Sequence, residues 1–198
     1  MVKILTFDEL NSSEIIKRMK EGDIFIYPTD TIYGIGCNAL NQKSVDKIRK
    51  LKKRGGDKPF SVIAPTKKWI ETNLEVENKN YIKKLPGPFT FLLKIKARSI
   101  AKKINPGFDI IGLRIPDHPF SNLVKLAKIP FITTSVNLSS KLPIRDTNKI
   151  PKSILKHVDF VIDDGYLHRY PSTIIDLTGK MPKIIKRRMW LYKGLYIF

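Results

Sequence analysis

The chain has 198 residues, 42% of them hydrophobic, with 37 Lys and Arg against 18 Asp and Glu and a formal net charge of +19. That length reads as a single domain over 1–198 that buries roughly 70% of its extended-chain surface, and no apolar run approaches the ~20 residues that cross a bilayer. The single Cys37 excludes an internal disulfide and a cysteine-rich zinc site. The scattered His118, His157 and His168 lack metal-ligand spacing, and an N-terminus without signal-peptide layout predicts a cytoplasmic protein with no membrane partner.

In chain order, Lys3 to Thr6 reads as a short edge strand. Asn11-Ser12-Ser13-Glu14 offers capping side chains ahead of Ile15, Ile16 and Met19 at helical spacing, and the helix ends near Gly22. It returns the chain to Ile24-Phe25-Ile26, a β-branched and aromatic run that predicts a buried strand. That strand delivers Tyr27-Pro28-Thr29-Asp30-Thr31-Ile32-Tyr33-Gly34-Ile35-Gly36-Cys37, a polar glycine loop with two threonines around one carboxylate. Taken alone, Thr-Asp-Thr is also ordinary turn chemistry. Val45, Ile48 and Leu51 share one face of a helix over 44–51 that points Lys52-Lys53-Arg54 at the next loop.

Phe60 to Ala64 predicts a strand stopped by Pro65, and Thr66 caps a short helix through Trp69 and Ile70. The polar stretch 73–80 reads as a surface connection, and Tyr81 to Leu85 runs into a Pro-Gly-Pro turn. Phe89 to Ile95, apolar on both faces, predicts a central strand, and Ile110 to Ile115 another. His118-Pro119 opens a helix that turns Phe120, Leu123, Val124 and Ala127 inward before Pro130 and a strand over 131–135. A weaker helix over 149–157, a strand over 160–162 and a hairpin joining 172–177 to 183–186 follow. The alternation gives a three-layer α/β domain, and the hairpin requires a mixed, twisted sheet.

Between Lys47 and Lys58 there are seven cations in twelve residues. A nucleoside triphosphate needs such charge, and Lys52, Arg54, Lys58, Arg145, Lys186 and Arg187 are candidate clamps, whereas Lys47, Lys50 and Lys53 read as a solvated helix face. No P-loop and no Gly-x-Gly-x-x-Gly helix start is present. Arg114, strand-borne and close to a proline, suits a bidentate grip on a carboxylate or a structural ion pair. Cys37 beside Gly36 reads as a small buried thiol.

Taken with Leu51 to Ile63, Pro86-Gly87-Pro88-Phe89-Thr90, Gly112-Leu113-Arg114-Ile115-Pro116, Thr134-Ser135-Val136-Asn137-Leu138-Ser139 and Pro171-Ser172-Thr173-Ile174-Ile175-Asp176, the loop after Ile26 resembles the YrdC-like family, the threonylcarbamoyl-AMP synthases, in their short form. The resemblance implies an open twisted sheet with helices on both faces and a concave basic cavity. It implies that L-threonine, bicarbonate and ATP give L-threonylcarbamoyladenylate and pyrophosphate, the first step of tRNA N6-threonylcarbamoyladenosine formation. On the matching positions, Lys52 and Arg54 are catalytic, and Thr31, Arg114 and Ser172 line the L-threonine pocket. ATP falls to Arg54, Lys58, the backbone of Ile110, Ser135, Asn137, Arg145 and Lys186, although Lys186-Arg187-Arg188 departs from the usual ending. Mg²⁺ accompanies ATP with no organic cofactor, and the product passes to a tRNA-modifying threonylcarbamoyltransferase complex.

Family members often carry His where this chain has Ile63, which costs ~0.5–1.5 kcal/mol of threonine binding or shifts the bond to a neighbour such as Asn38. The rival reading is a non-catalytic module for tRNA or double-stranded RNA, which the charge of +19 also fits.

Overall fold

The computed structural model describes residues 2–52, 59–97, 99, 104–105, 107–137 and 142–185. They form strands β1 (Lys3–Thr6), β2 (Phe25–Tyr27), β3 (Gly34–Gly36), β4 (Ser61–Ile63), β5 (Phe89–Lys94), β6 (Ile110–Arg114), β7 (Phe131–Ser135), β8 (Phe160–Asp163), β9 (Thr173–Asp176) and β10 (Lys183–Ile185). The helices are α1 (Ser12–Glu21), α2 (Gln42–Leu51), α3 (Lys67–Asn73), α4 (Lys79–Lys83), α5 (Phe120–Ala127) and α6 (Lys152–Leu155). One ten-stranded sheet runs β1-β8-β2-β3-β7-β4-β6-β5-β9-β10. It is mixed, with β1, β2 and β8, β4 and β6, and β5 and β9 paired parallel and the remaining neighbours antiparallel. The expected edge strand β1 and the terminal hairpin β9–β10 are both present, and β5 is interior, held between β6 and β9.

Local chemistry sets the helix ends. Asn11 Oδ1 accepts from the Glu14 N–H at 3.1 Å, and Thr66 Oγ1 accepts from the Trp69 N–H at 3.0 Å. Gly22 closes α1 in the left-handed conformation with φ 98°. The helix expected over 149–157 is broken into a 3-10 turn at Thr147–Lys149 and the four-residue α6. Pro151 accounts for the break, because the residue before a proline is pushed out of helical geometry and Ile150 is extended.

Gly34-Ile35-Gly36, read from sequence as loop, is a buried strand between β2 and β7. Two glycines lower strand propensity, yet only glycine fits here. A Cβ on Gly36 would stand 1.8 Å from the Ile132 carbonyl oxygen.

Register pairs place Phe25, Tyr27, Gly34, Ser61, Ile63, Arg114, Phe131, Thr133 and Ser135 on one face of the sheet. The opposite face carries Ile26, Ile35, Val62, Phe91, Leu113, Ile132 and Val161 and is covered by Val45 and Ile48 of α2, Ile70 of α3, Ile82 of α4 and Ile154 of α6. On the first face α1 and α5 roof only part of the surface, packing Ile15, Met19, Phe120, Leu123 and Val124 on Phe25, Tyr27, Ile63, Phe131 and Phe160. There Tyr27 stacks on Phe120 with ring centroids 4.0 Å apart, and Phe131 meets both rings edge-on. No described helix is long and apolar enough to cross a membrane.

Candidate functional site

The unroofed part of that face is a cleft of about 740 Å³, counting the space at its mouth. Its wall is rich in hydroxyls: Thr29 and Thr31 from the loop after β2, Ser61 from β4, Thr90 from β5, Thr133 and Ser135 from β7, and Ser172 before β9. Leu92, Ile174 and Ile32 supply apolar patches, and Arg114 is the one cation among the described lining residues. Gly112 keeps the floor open, since a Cβ there would lie 2.3 Å from Ser61 Oγ.

Arg114 ends β6 and is 6% exposed. Its Nη2 bonds Asp30 Oδ1 in an ion pair, its Nη1 donates to Thr31 Oγ1 at 3.2 Å, and its Nε is buried with no partner among the described residues. Burial pushes the guanidinium pKa down, and the charge of Asp30 opposes that shift. Asp30 Oδ2 accepts from the Asp117 N–H at 3.2 Å, so the loop after β2 is tied to the turn after β6. Thr29 Oγ1 shapes the same loop, lying 2.9 Å from Thr31 Oγ1 and donating to the Ile32 carbonyl at 2.8 Å. Across the cleft, Thr90 Oγ1 and Ser172 Oγ share a bond of 2.7 Å.

A second cluster adjoins at Ser135. Lys52, just past α2 and 6% exposed, sends Nζ to the carbonyls of Ser135 and Asn137, each at 2.8 Å, and to Asn137 Oδ1. Ser135 Oγ donates to the same Asn137 oxygen at 2.9 Å. The ammonium is therefore held by acceptors at the end of β7 and in the loop that follows it. Tyr33 also lines the cleft and reaches the end of β8 and the turn after it, with its hydroxyl 3.0 Å from Asp163 Oδ1 and 2.7 Å from the Gly165 carbonyl.

Of the residues singled out from sequence, Thr31, Arg114, Ser172 and Ser135 line one cleft. Lys52 and Asn137 are bonded to its Ser135 edge. Ile110 starts β6, roughly 13 Å along the strand from Arg114. Arg145 lies outside the cleft lining, over the Tyr170 ring at 5.2 Å. Arg54, Lys58, Lys186, Arg187 and Arg188 lie outside the described residues. Ile63 is fully buried in the aromatic cluster beside Arg114. The Asn38 amide donates to the Lys20 carbonyl at 3.1 Å and its oxygen accepts from the Leu40 N–H at 2.9 Å.

Sequence reasoning missed Ser61, Thr90 and Thr133 as cleft residues and left Asp30 without a role. A polar side chain at an alternate position of an otherwise apolar strand was the available signal. Cys37 is the buried thiol expected, and burial pushes its pKa up.

With this geometry in place, residues 17–188 match the family model Sua5_yciO_yrdC, described as telomere recombination. A "Putative threonylcarbamoyl-AMP synthase" of Methanocaldococcus jannaschii is 40% identical over 188 residues, covering 88% of this chain and 87% of that one. The chain belongs to the Sua5/YciO/YrdC family. The threonylcarbamoyl-AMP synthase of Pyrococcus abyssi is 29% identical over 85% of this chain, which spans about half (51%) of that longer protein. A structure of a P. abyssi Sua5 variant superposes with a TM-score of 0.82 at 25% identity, over 94% of this chain and 60% of that one. Escherichia coli YciO superposes with a TM-score of 0.80 at 24% identity over 94% of both chains, a likeness of fold.

Proposed function

We propose that this chain condenses L-threonine, bicarbonate and ATP into L-threonylcarbamoyladenylate with release of pyrophosphate, supplying tRNA threonylcarbamoyladenosine formation. It is an enzyme of the nucleotidyltransferase class, the class of the relatives named threonylcarbamoyl-AMP synthase. The observation that carries the specific reaction is a buried, ion-paired Arg114 among the residues lining a cleft walled by hydroxyls. A desolvated guanidinium with spare donors is a site for a carboxylate, and Thr31 and Ser172 offer partners for an amine and a hydroxyl. The fold is shared with a P. abyssi Sua5 structure that holds L-threonine, with a TM-score of 0.79 at 24% identity.

In this reading the threonine amine and bicarbonate form a carbamate and water. A carbamate oxygen attacks the α-phosphorus, the bond from that phosphorus to the β-bridging oxygen breaks, and pyrophosphate leaves with the electron pair. No protein nucleophile is required, so orientation and charge stabilisation supply the rate. Lys52 shapes the loop bearing Ser135 and Asn137 on the nucleotide side, and Arg54, Lys58, Arg145 and Lys186 offset phosphate charge, with the Ile110 backbone a further contact. Mg²⁺ enters as part of the MgATP substrate and neutralises phosphate oxygens. The product is a reactive adenylate for a threonylcarbamoyltransferase complex acting on tRNA in the cytoplasm.

The test is pyrophosphate release from MgATP and bicarbonate with and without L-threonine, using serine and valine as controls. Release that requires threonine is expected. No release with any amino acid, beside tight salt-dependent tRNA binding, would replace the synthase with the RNA-binding module that a charge of +19 also fits.

A further inference from the structure

We infer that Asp30 is the positioning residue for amino-acid carboxylate recognition, holding the guanidinium plane of Arg114 at the wall of the cleft. The inference rests on Arg114 as the carboxylate anchor. Both residues are sealed from solvent, with side-chain exposures of 2% for Asp30 and 7% for Arg114. Both Asp30 oxygens are engaged, one by Arg114 Nη2 and the other by the Asp117 N–H at 3.2 Å. The carboxylate therefore cannot follow the guanidinium if it rotates. Thr31 Oγ1 at 3.2 Å from Nη1 pins a second corner of the fork, and Nε is left over.

Two effects oppose each other here. Asp30 is an anion already on the guanidinium, so its charge competes with an incoming carboxylate. Against that, an Arg buried without a counter-charge is poorly solvated and is free to swing. Bidentate recognition needs the guanidinium plane fixed to within tens of degrees. Asp30 occupies one terminal nitrogen and Thr31 another, so the fork is held at two corners as well as charge-paired. Positioning outweighs competition, and this fixes the sign of the experiment.

The experiment measures steady-state pyrophosphate release by the full chain for wild type, Asp30→Asn and Asp30→Glu, with calorimetric binding of L-threonine and L-threoninol, which lacks the carboxylate. Asp30→Asn is expected to raise KM for L-threonine about tenfold or more and to narrow the wild-type preference for threonine over threoninol, with KM for ATP changed by less than about threefold. Asp30→Glu keeps the charge but moves the oxygens by one methylene, and it gives an intermediate rise. If Asp30→Asn does not fold, judged by circular dichroism, Asp30→Glu alone carries the test on the same readouts. Tighter threonine binding in Asp30→Asn, or an unchanged threonine-to-threoninol ratio in the folded variant, would overturn the inference and leave the synthase reading intact. Wild-type protein that neither binds nor turns over threonine would remove both.

Discussion

Two halves of one sheet face are built from the same strands and meet opposite fates. Along β7, Phe131 is sealed among rings, Thr133 lines the cleft and Ser135 stands at its edge, all pointing the same way. Along β4, Ile63 belongs to the aromatic cluster and Ser61 to the cleft. The difference is the roof. Where α1 and α5 cover the sheet, the face is filled by stacked Phe and Tyr; past their edge it carries hydroxyls and one held guanidinium. The closed half supplies the rigidity and the open half keeps its polar groups available, so the same strands carry both a packed core and the floor of a site whose rim the loop after β2 completes.

Substitutions across that boundary should separate the two roles. The largest effect is expected for Arg114→Ala, which should lower kcat/KM for L-threonine on the order of a thousandfold while nucleotide binding persists. It also strands the buried Asp30 charge, so thermal stability falls as well. Threonine titration with pyrophosphate release as readout checks it, and a titration matching wild type would dissolve the distinction between the halves. Next comes Phe131→Ala in the roofed half, which removes a ring in edge contact with Phe25, Tyr27 and Phe120. It should cost about 3–5 kcal/mol in urea unfolding, with threonine KM in the folded protein within about threefold of wild type.

The smallest effect concerns pH. Burial pushes the Cys37 thiol up, so the folded chain keeps a proton that the unfolded chain loses. The resulting stability is whole below the free-thiol pKa of about 8.5 and declines by at most ~1.4 kcal/mol per pH unit above it. Urea midpoints from pH 7 to 10 should fall more steeply for wild type than for Cys37→Ala. Parallel slopes would mean that Cys37 ionises as easily folded as unfolded.

Helix ends and the terminal hairpin were legible because their signals are local: Asn11, Gly22 and Thr66 act within a few residues of themselves. β3 was not, since the reason for its glycines is the Ile132 carbonyl, almost a hundred positions away. The cleft was legible through Thr31, Arg114, Ser135 and Ser172, carried by resemblance. Its connections were hidden, because Arg114 to Asp30 spans 84 positions and Thr90 to Ser172 spans 82. Lys52 could be read as a cation for phosphate, while its acceptors on Ser135 and Asn137 appear only in three dimensions.

The pairing of β1 and β2 with β8 has a consequence for how the protein is made. Lys3 to Thr6 and Phe25-Ile26 find their partners at Phe160 to Asp163, and β3 waits for β7. At about 5–20 residues per second, a ribosome takes about 10–30 s to reach that partner strand. Until then Phe25 and Ile26 have no strand neighbour on that side. The nascent chain thus spends most of its synthesis with one edge of β2 unpaired, while β4, β5, β6 and β7 find one another as soon as residue 135 is made.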